Sequence, residues 1–385
     1  MELMKKQNTD NVRKGSGLRG QDSGCDHGGN VHKAARALGI PESRILDFSA
    51  SINPLGISAR VRASITENLD GLVHYPDPDA DDFRRAVSCL HRLNSGMILP
   101  GNGSTELIYL LPRVLKPQSV LVTSPTFSEY ERACRVGSEA RVRNYELRKE
   151  NNFAIEADAF ISAMKGDSVS ELQTPDSKLK CDMAFLCNPN NPTGHSLRKK
   201  DVLKIADAAR ELKCVLVVDE AFIDFIPENS VTDHVNDYSN VIVLRSLTKF
   251  YALTGLRIGY GVSSKELIEQ LKEGREPWTV NNLAQAAALA ALDDNEYIEE
   301  TREVIAKEKH YLERAFLNRG VTFFPSAANF YLLKIDRARD IVSKLRGKGI
   351  LVRSCSNFRG LDDSYIRVAV RSHEHNELLL KELAE

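Results

Sequence analysis

The sequence predicts an α/β protein, with a large domain built on a mostly parallel sheet and a smaller second domain appended. Three observations carry that expectation. The 385 residues are too many for one ordinary domain. Short apolar runs at Ile98, Val120, Met183, Val215 and Val241 each lead at once into glycine or polar residues. Helical patterns, such as Leu203 to Leu212 ahead of the Val215 run, separate several of them. Strands alternating with helices make a mostly parallel sheet, and polar residues at the carboxyl ends of its strands converge on one crevice.

Taken in order, residues 1–24 are polar, carry Lys5, Lys6, Arg13, Lys14 and Arg19, and lack an apolar core of the secretory kind. They read as a disordered extension. His27-Gly28-Gly29-Asn30 is a glycine turn from which the His27 side chain could reach a site, and Val31, Ala34, Ala35 and Leu38 then mark an amphipathic helix. The loop His74-Tyr75-Pro76-Asp77-Pro78-Asp79 is stiffened by two prolines, which suits either an arm toward another subunit or a plain surface turn.

The Ile98 run leads to Gly101-Asn-Gly103-Ser104-Thr105-Glu106 at a helix start, where backbone N–H groups and the helix dipole favour an anion. The third glycine of a dinucleotide fingerprint is missing, which disfavours a nicotinamide site. The Val120 run ends in Ser124-Pro-Thr-Phe127, the Met183 run in Asn188-Pro-Asn-Asn191-Pro-Thr-Gly194, the Val215 run in Asp219-Glu-Ala-Phe222, and the Val241 run in Ser246 and Lys249. An alanine-rich segment, Asn281 to Leu292, and a long charged helical pattern, Tyr297 to Leu317, lead into the second domain. Strand patterns there begin at Val321, Ile350 and Tyr365. The last two hold Arg353 and Arg367 among apolar residues, so each arginine needs a carboxylate or phosphate partner.

Composition narrows the function classes. A net charge of -1 argues against a nucleic-acid or anionic-membrane partner. No run of about eighteen apolar residues is present to span a bilayer. Seven cysteines without C-x-x-C spacing argue against zinc, any other metal site or a disulfide framework, and fit reduced thiols in a cytoplasm.

The chemistry concentrates between Val241 and Gly261. Lys249 follows a buried-strand pattern and stands among Leu247, Phe250, Tyr251, Ala252 and Leu253. Burial there would lower the amine's pKa and make it a nucleophile toward an aldehyde. Ser246 and Arg257 bracket it as anion ligands, with glycines that let backbone approach a phosphate.

This Ser-x-x-Lys segment, with an arginine eight residues on, resembles the pyridoxal-phosphate lysine segment of the fold-type I aminotransferase superfamily. With Asn-Pro-Thr-Gly and Asp-Glu-Ala-Phe in the same order, the resemblance to class I/II aminotransferases covers residues 27 to 375. It implies a fold-type I α/β architecture: residues 25–70 contribute to the small domain, 71–280 form the large cofactor domain, and 281–385 complete a small α+β domain. It also implies pyridoxal 5′-phosphate as cofactor. Lys249 would bond its aldehyde and Asp219 its ring nitrogen; Ser104, Thr105, Ser246 and Arg257 would hold its phosphate. Phe127 would lie against the ring, with Asn191 on its phenolic oxygen, and Phe222 would contact the cofactor where many aminotransferases carry a tyrosine hydroxyl for that oxygen.

Within the superfamily the chain is most similar to the branch holding histidinol-phosphate aminotransferase and threonine-phosphate decarboxylase. The strings His27-Gly-Gly-Asn, Asp47-Phe-Ser-Ala, Ile52-Asn-Pro-Leu-Gly, Tyr75-Pro-Asp-Pro and Arg353-Ser-Cys-Ser-Asn-Phe resemble the decarboxylase. That resemblance implies decarboxylation of O-phospho-L-threonine in cobalamin biosynthesis. His27, Gly28, Ser51, Asn191, Arg353 and Arg367 would meet the substrate, and Tyr75 would reach the partner's site in a homodimer. Ser51 stands where the family usually has asparagine, so phosphoserine or a phosphonate analogue is an alternative, as is transamination of a histidinol-phosphate-like substrate.

Overall fold

The computed structural model describes residues 28–167 and 180–384. The extension over residues 1–24, Cys25 and His27 lie outside the described residues. At the centre is a seven-stranded sheet in the order Ile98–Gly101, Gly259–Val262, Val241–Ser246, Val215–Asp219, Met183–Cys187, Ser119–Ser124, Arg141–Glu146. Gly259–Val262 runs antiparallel to both of its neighbours, and the other strands share one direction. The mostly parallel α/β architecture expected from the sequence is therefore the one observed.

The inner strands are the near-continuous apolar runs that burial on both faces requires. Helices Gly103–Leu115, Glu129–Gly137 and Lys265–Glu273 cover one face. Helices Asp81–His91, Ala157–Lys165, Lys199–Leu212 and Asn282–Leu292 cover the other. Each fully buried Val, Leu or Ile contributes about 1.5–3 kcal/mol, so these two apolar layers fix the sheet between the helices. Pro100 is tolerated because its strand lies at the sheet edge, where a missing N–H costs little.

Two strands of this large sheet carry no clear strand signal in the sequence. Gly259–Val262 holds two glycines, which were read as phosphate contacts, and glycine weakens the β signal. Arg141–Glu146 lies at the other edge and is mostly polar or charged, which suits a strand with one free side.

The second body is an antiparallel sheet in the order Arg353–Ser354, Tyr365–Ala369, Phe330–Lys334, Thr322–Phe323. Its core joins Tyr331, Ile366 and Val368 to Ile305, Leu312 and Phe316 of the long helix Asn295–Asn318. The strand expected from Ile350 to Ser356 divides at Val352. Its first half, Ile350–Leu351, pairs in parallel with Leu46–Asp47, and its second half joins the antiparallel sheet. This switch stitches the beginning of the described chain to its end and carries residues 47–53 toward the carboxyl ends of the large sheet.

Candidate active site

One cavity of about 390 Å³ lies at those strand ends, of the size and position expected for a small-molecule site. Gly28, Ser51, Ser104, Thr105, Phe127, Asn191, Asp219, Phe222, Ser246, Lys249, Arg257, Arg353 and Arg367 all line it. Tyr75 does not: it is 82% exposed, with its ring 5.0 Å from that of Trp278.

Lys249 stands three residues past the end of the buried strand Val241–Ser246. Burial, reinforced by the Arg367 and Arg257 charges and opposed by Asp47, pushes its amine down to about 8. An ordinary lysine is almost wholly charged near neutral pH, whereas this one offers a substantial neutral fraction for attack on a carbonyl.

Asp219 ends the neighbouring strand, 3% exposed. Its Oδ2 accepts from the Tyr130 hydroxyl at 2.6 Å and its Oδ1 from the Ala221 N–H at 3.0 Å. Burial raises its pKa, while those two donors pull it down. A buried carboxylate held by donors suits a cationic ring N–H. Tyr130 was missed in the sequence. It lies three residues after Phe127, at the start of helix Glu129–Gly137, and stacks on Phe185 at 4.9 Å while Phe127 meets its edge at 5.6 Å. The i, i+3 spacing from Phe127 was the signal that could have found it.

The anion end is built where helix Gly103–Leu115 begins. Ser104 and Thr105 stand in its first turn, and Ser246 on the adjacent strand shares a 2.8 Å hydrogen bond with Thr248. Arg257 sits in left-handed backbone, φ 61°, and donates to the Thr254 carbonyl at 3.2 Å. A Cβ on Gly103 would lie 2.5 Å from Arg257 Nη2. Only a residue without a side chain lets the guanidinium close over the helix N-terminus, and a phosphate is the group such a cradle fits.

The opposite wall comes from the two chain ends. Arg353 and Arg367 are directly paired across adjacent antiparallel strands, each 7% exposed. Arg353 donates to Asn357 Oδ1 at 2.9 Å and lies 5.1 Å over the Phe358 ring. Arg367 donates to Asn191 and, at 2.8 Å, to the Ser49 carbonyl. Burial, with Arg353 nearby, brings its guanidinium down to about 10. Arg367 Nε and Ser51 Oγ are buried without a partner among the described residues. Ser49 is a second residue the sequence reading left without a role. Its carbonyl binds Arg367, its hydroxyl donates to Asp47 at 2.6 Å, and a Cβ on Gly28 would stand 2.2 Å from its carbonyl oxygen.

An amine of lowered pKa, a buried carboxylate facing a ring-sized space, and a glycine-lined anion cradle together fit pyridoxal phosphate. The aminotransferase class I and II family model matches residues 43–383. A threonine-phosphate decarboxylase of Salmonella typhimurium is 39% identical over 361 residues, covering 93% of this chain and 95% of that protein. Among solved structures, a histidinol-phosphate aminotransferase from Clostridium acetobutylicum superposes with TM-score 0.79 at 30% identity, over 88% of this chain and 98% of that one. An L-threonine-O-3-phosphate decarboxylase from Porphyromonas gingivalis does so with TM-score 0.74 at 27% identity, over 88% and 98%. Fold, cradle and similarity agree: the chain belongs to the class I and II aminotransferases and is a pyridoxal-phosphate-dependent enzyme.

Proposed function

We propose that the enzyme decarboxylates O-phospho-L-threonine to (R)-1-amino-2-propanol O-2-phosphate, a step in cobalamin biosynthesis. The observation that carries this reading is the directly opposed pair Arg353 and Arg367. Like charges across a strand pair are destabilising, and two guanidiniums lining one cavity with Lys249 suit a substrate with two anionic ends. A phospho-amino acid has a carboxylate and a phosphate.

When bound, the cofactor supplies an electron sink for whichever substrate bond stands perpendicular to its ring. Lys249 Nζ, buried in the cavity with a lowered pKa, is the group that would hold the cofactor aldehyde. Asp219, whose pKa burial raises and the Tyr130 and Ala221 donors pull down, is the carboxylate that would face the ring nitrogen and favour its protonated form. Arg353, Arg367 and Asn191 hold the anionic ends, so the rotamer they impose selects the bond to the carboxylate. Ser51, with a free hydroxyl where an amide is usual, tunes the fit to the substrate, and phosphoserine or a phosphonate analogue remains the nearest alternative.

Aminotransfer to a histidinol-phosphate-like substrate is the second reading, favoured by the 30% identity to an aminotransferase. The purified protein is to be given phosphothreonine and, separately, histidinol phosphate with 2-oxoglutarate. Carbon dioxide from the first supports decarboxylation; stoichiometric glutamate from the second, with no carbon dioxide from the first, overturns it.

The same reading includes a homodimer in which Tyr75 reaches the partner's phosphate cradle. In support, Tyr75 stands out from the surface beside Val73, 81% exposed, and Leu72, 55% exposed. A reducing cytoplasm fits the unpaired thiols of the described residues, Cys181 and Cys214 among them. No described helix is long and apolar enough to cross a membrane.

A further inference from the structure

Lys249 sits at the start of a turn whose backbone is strained. Ala252, three residues on, adopts φ 55°, a conformation that residues with a Cβ hold only where surrounding contacts impose it. Within the turn, the Leu253 N–H donates to Leu247 O at 3.3 Å and the Thr254 hydroxyl to Thr248 O at 2.8 Å. The remaining hold comes from a residue almost two hundred positions earlier. Asn53, 2% exposed, donates its backbone N–H to the Lys249 carbonyl at 3.0 Å and its Nδ2 to the Phe250 carbonyl at 2.7 Å.

The same amide reaches the far side of the junction. Its Nδ2 lies 2.9 Å from the Tyr297 hydroxyl and 2.7 Å from Thr301 Oγ1, both on the long helix Asn295–Asn318. Its Oδ1 accepts from the Leu55 N–H at 3.0 Å. Tyr297 in turn donates to the Gly56 carbonyl at 2.6 Å. Every polar atom of the Asn53 side chain is thus engaged, and its partners come from the N-terminal segment, the lysine turn and the helix that leads into the second body.

We propose that Asn53 is a positioning residue for Lys249, fixing the peptide planes on its carboxyl side and tying them to helix Asn295–Asn318, so that the amine is aimed at the cofactor aldehyde. It acts through the backbone of Lys249 and touches neither cofactor nor substrate. A leucine of similar shape would keep the backbone N–H bond to Lys249 but remove the side-chain bonds to the Phe250 carbonyl, Tyr297, Thr301 and the Leu55 N–H. The Phe250 carbonyl would be left with only the 3.4 Å approach of the Tyr297 hydroxyl, loosening the turn.

The inference rests on Lys249 being the cofactor lysine, so the test first fixes the wild-type adduct with borohydride and locates it by peptide mass. No adduct at Lys249 in wild type would overturn that assignment and this proposal with it, whereas an adduct at Lys249 leaves the variants to decide the role of Asn53 alone. With the adduct in place, Asn53→Leu is reconstituted from apo-protein. Its dissociation constant for pyridoxal phosphate and the pH midpoint of the bound cofactor's visible absorbance are measured beside Tm and kcat. The expected result is an adduct still at Lys249, cofactor affinity down at least about tenfold, a shifted absorbance midpoint, and kcat falling more than KM rises. A purely structural asparagine would lower Tm and leave affinity, midpoint and kcat of the folded protein as in wild type, which overturns the proposal. If Asn53→Leu does not fold, Thr301→Val decides: it removes one anchor at constant shape, and about a threefold loss of affinity with a shift of the midpoint is expected. An unchanged affinity and midpoint in Thr301→Val would overturn it equally.

Discussion

The two walls of the cavity are made in different ways. The wall proposed to cradle the cofactor is local: strands such as Val215–Asp219 and Val241–Ser246 end and, within a few residues, present a polar group, as Asp219 and Ser246 do at the very ends of theirs. The wall proposed to meet the substrate is assembled from afar. Arg367 donates to Ser49, 318 residues away, and its strand mate Arg353 is separated by Val352 alone from the strand that pairs with Leu46–Asp47. The cofactor wall is therefore as rigid as the sheet. The substrate wall depends on two chain ends staying stitched together, and it is where a family sharing one cofactor would vary its chemistry.

That difference can be broken at its strongest point first. Lys249→Ala should abolish turnover and the borohydride-fixable adduct, and the purified variant should lose the yellow colour expected of wild type. Its lowered pKa of about 8 gives the sign of a second readout. Below that value the amine is mostly charged, so cofactor condensation with apo-protein should quicken as pH rises through it and level off above, followed by visible absorbance. Covalent trapping at another lysine would defeat the assignment.

On the substrate wall, unphosphorylated threonine should be a very poor substrate. Removing the phosphate leaves a buried guanidinium without its anion, and charge-assisted hydrogen bonds contribute about 1.5–3 kcal/mol each. Two or three of them amount to roughly two to six decades in kcat/KM at about 1.4 kcal/mol per decade. Comparable kcat/KM for threonine and phosphothreonine would remove the role given to Arg353 and Arg367.

Back on the cofactor wall, Asp219→Asn should keep the cofactor bound, because Lys249 and the phosphate cradle remain, yet lower kcat by about two to three decades. An amide does not hold a proton on the ring nitrogen, so the electron sink is weakened while the fold is not. Activity within a few fold of wild type would make Asp219 a structural carboxylate only.

How much of this was legible follows the same division. The strand-end groups of the cofactor wall were readable because apolar run and polar terminus are contiguous, and the cavity gathers them from Ser104 to Arg257. Arg353 and Arg367 were recognisable as arginines that need an anion, but not as a facing pair, because register across two strands is a tertiary fact. Ser49 and Asn53 stood in strings that looked informative, yet their partners lie hundreds of residues away, and no local periodicity announces a bond from Asn53 to Phe250. The strand Gly259–Val262 was hidden by its glycines. Tyr130 was hidden differently: an aromatic on the buried side of a helix is usually packing, and only the 2.6 Å approach to Asp219 distinguishes it.

Tyr130 gives the smallest and sharpest test of the cofactor wall. Its hydroxyl is one of the two donors found on the Asp219 carboxylate, the other being the Ala221 N–H. Tyr130→Phe keeps the ring that stacks on Phe185 and removes only that donor. A hydrogen bond to a charged group contributes about 1.5 kcal/mol or more, so kcat should fall by about tenfold with the cofactor still bound. The sign of the pH effect follows from which form the hydroxyl favours. It donates to the ionised carboxylate and so pulls the Asp219 pKa down against the upward push of burial. Without it, Asp219 takes up its proton at higher pH, and activity on the acid side should begin to fall at a higher pH than in wild type while the alkaline side stays put. A tenfold loss with an unmoved acid limb would mean that Tyr130 acts by packing against Phe127 and the ring space rather than through Asp219. An unaltered kcat would mean that the Ala221 N–H alone is enough to keep the carboxylate ionised.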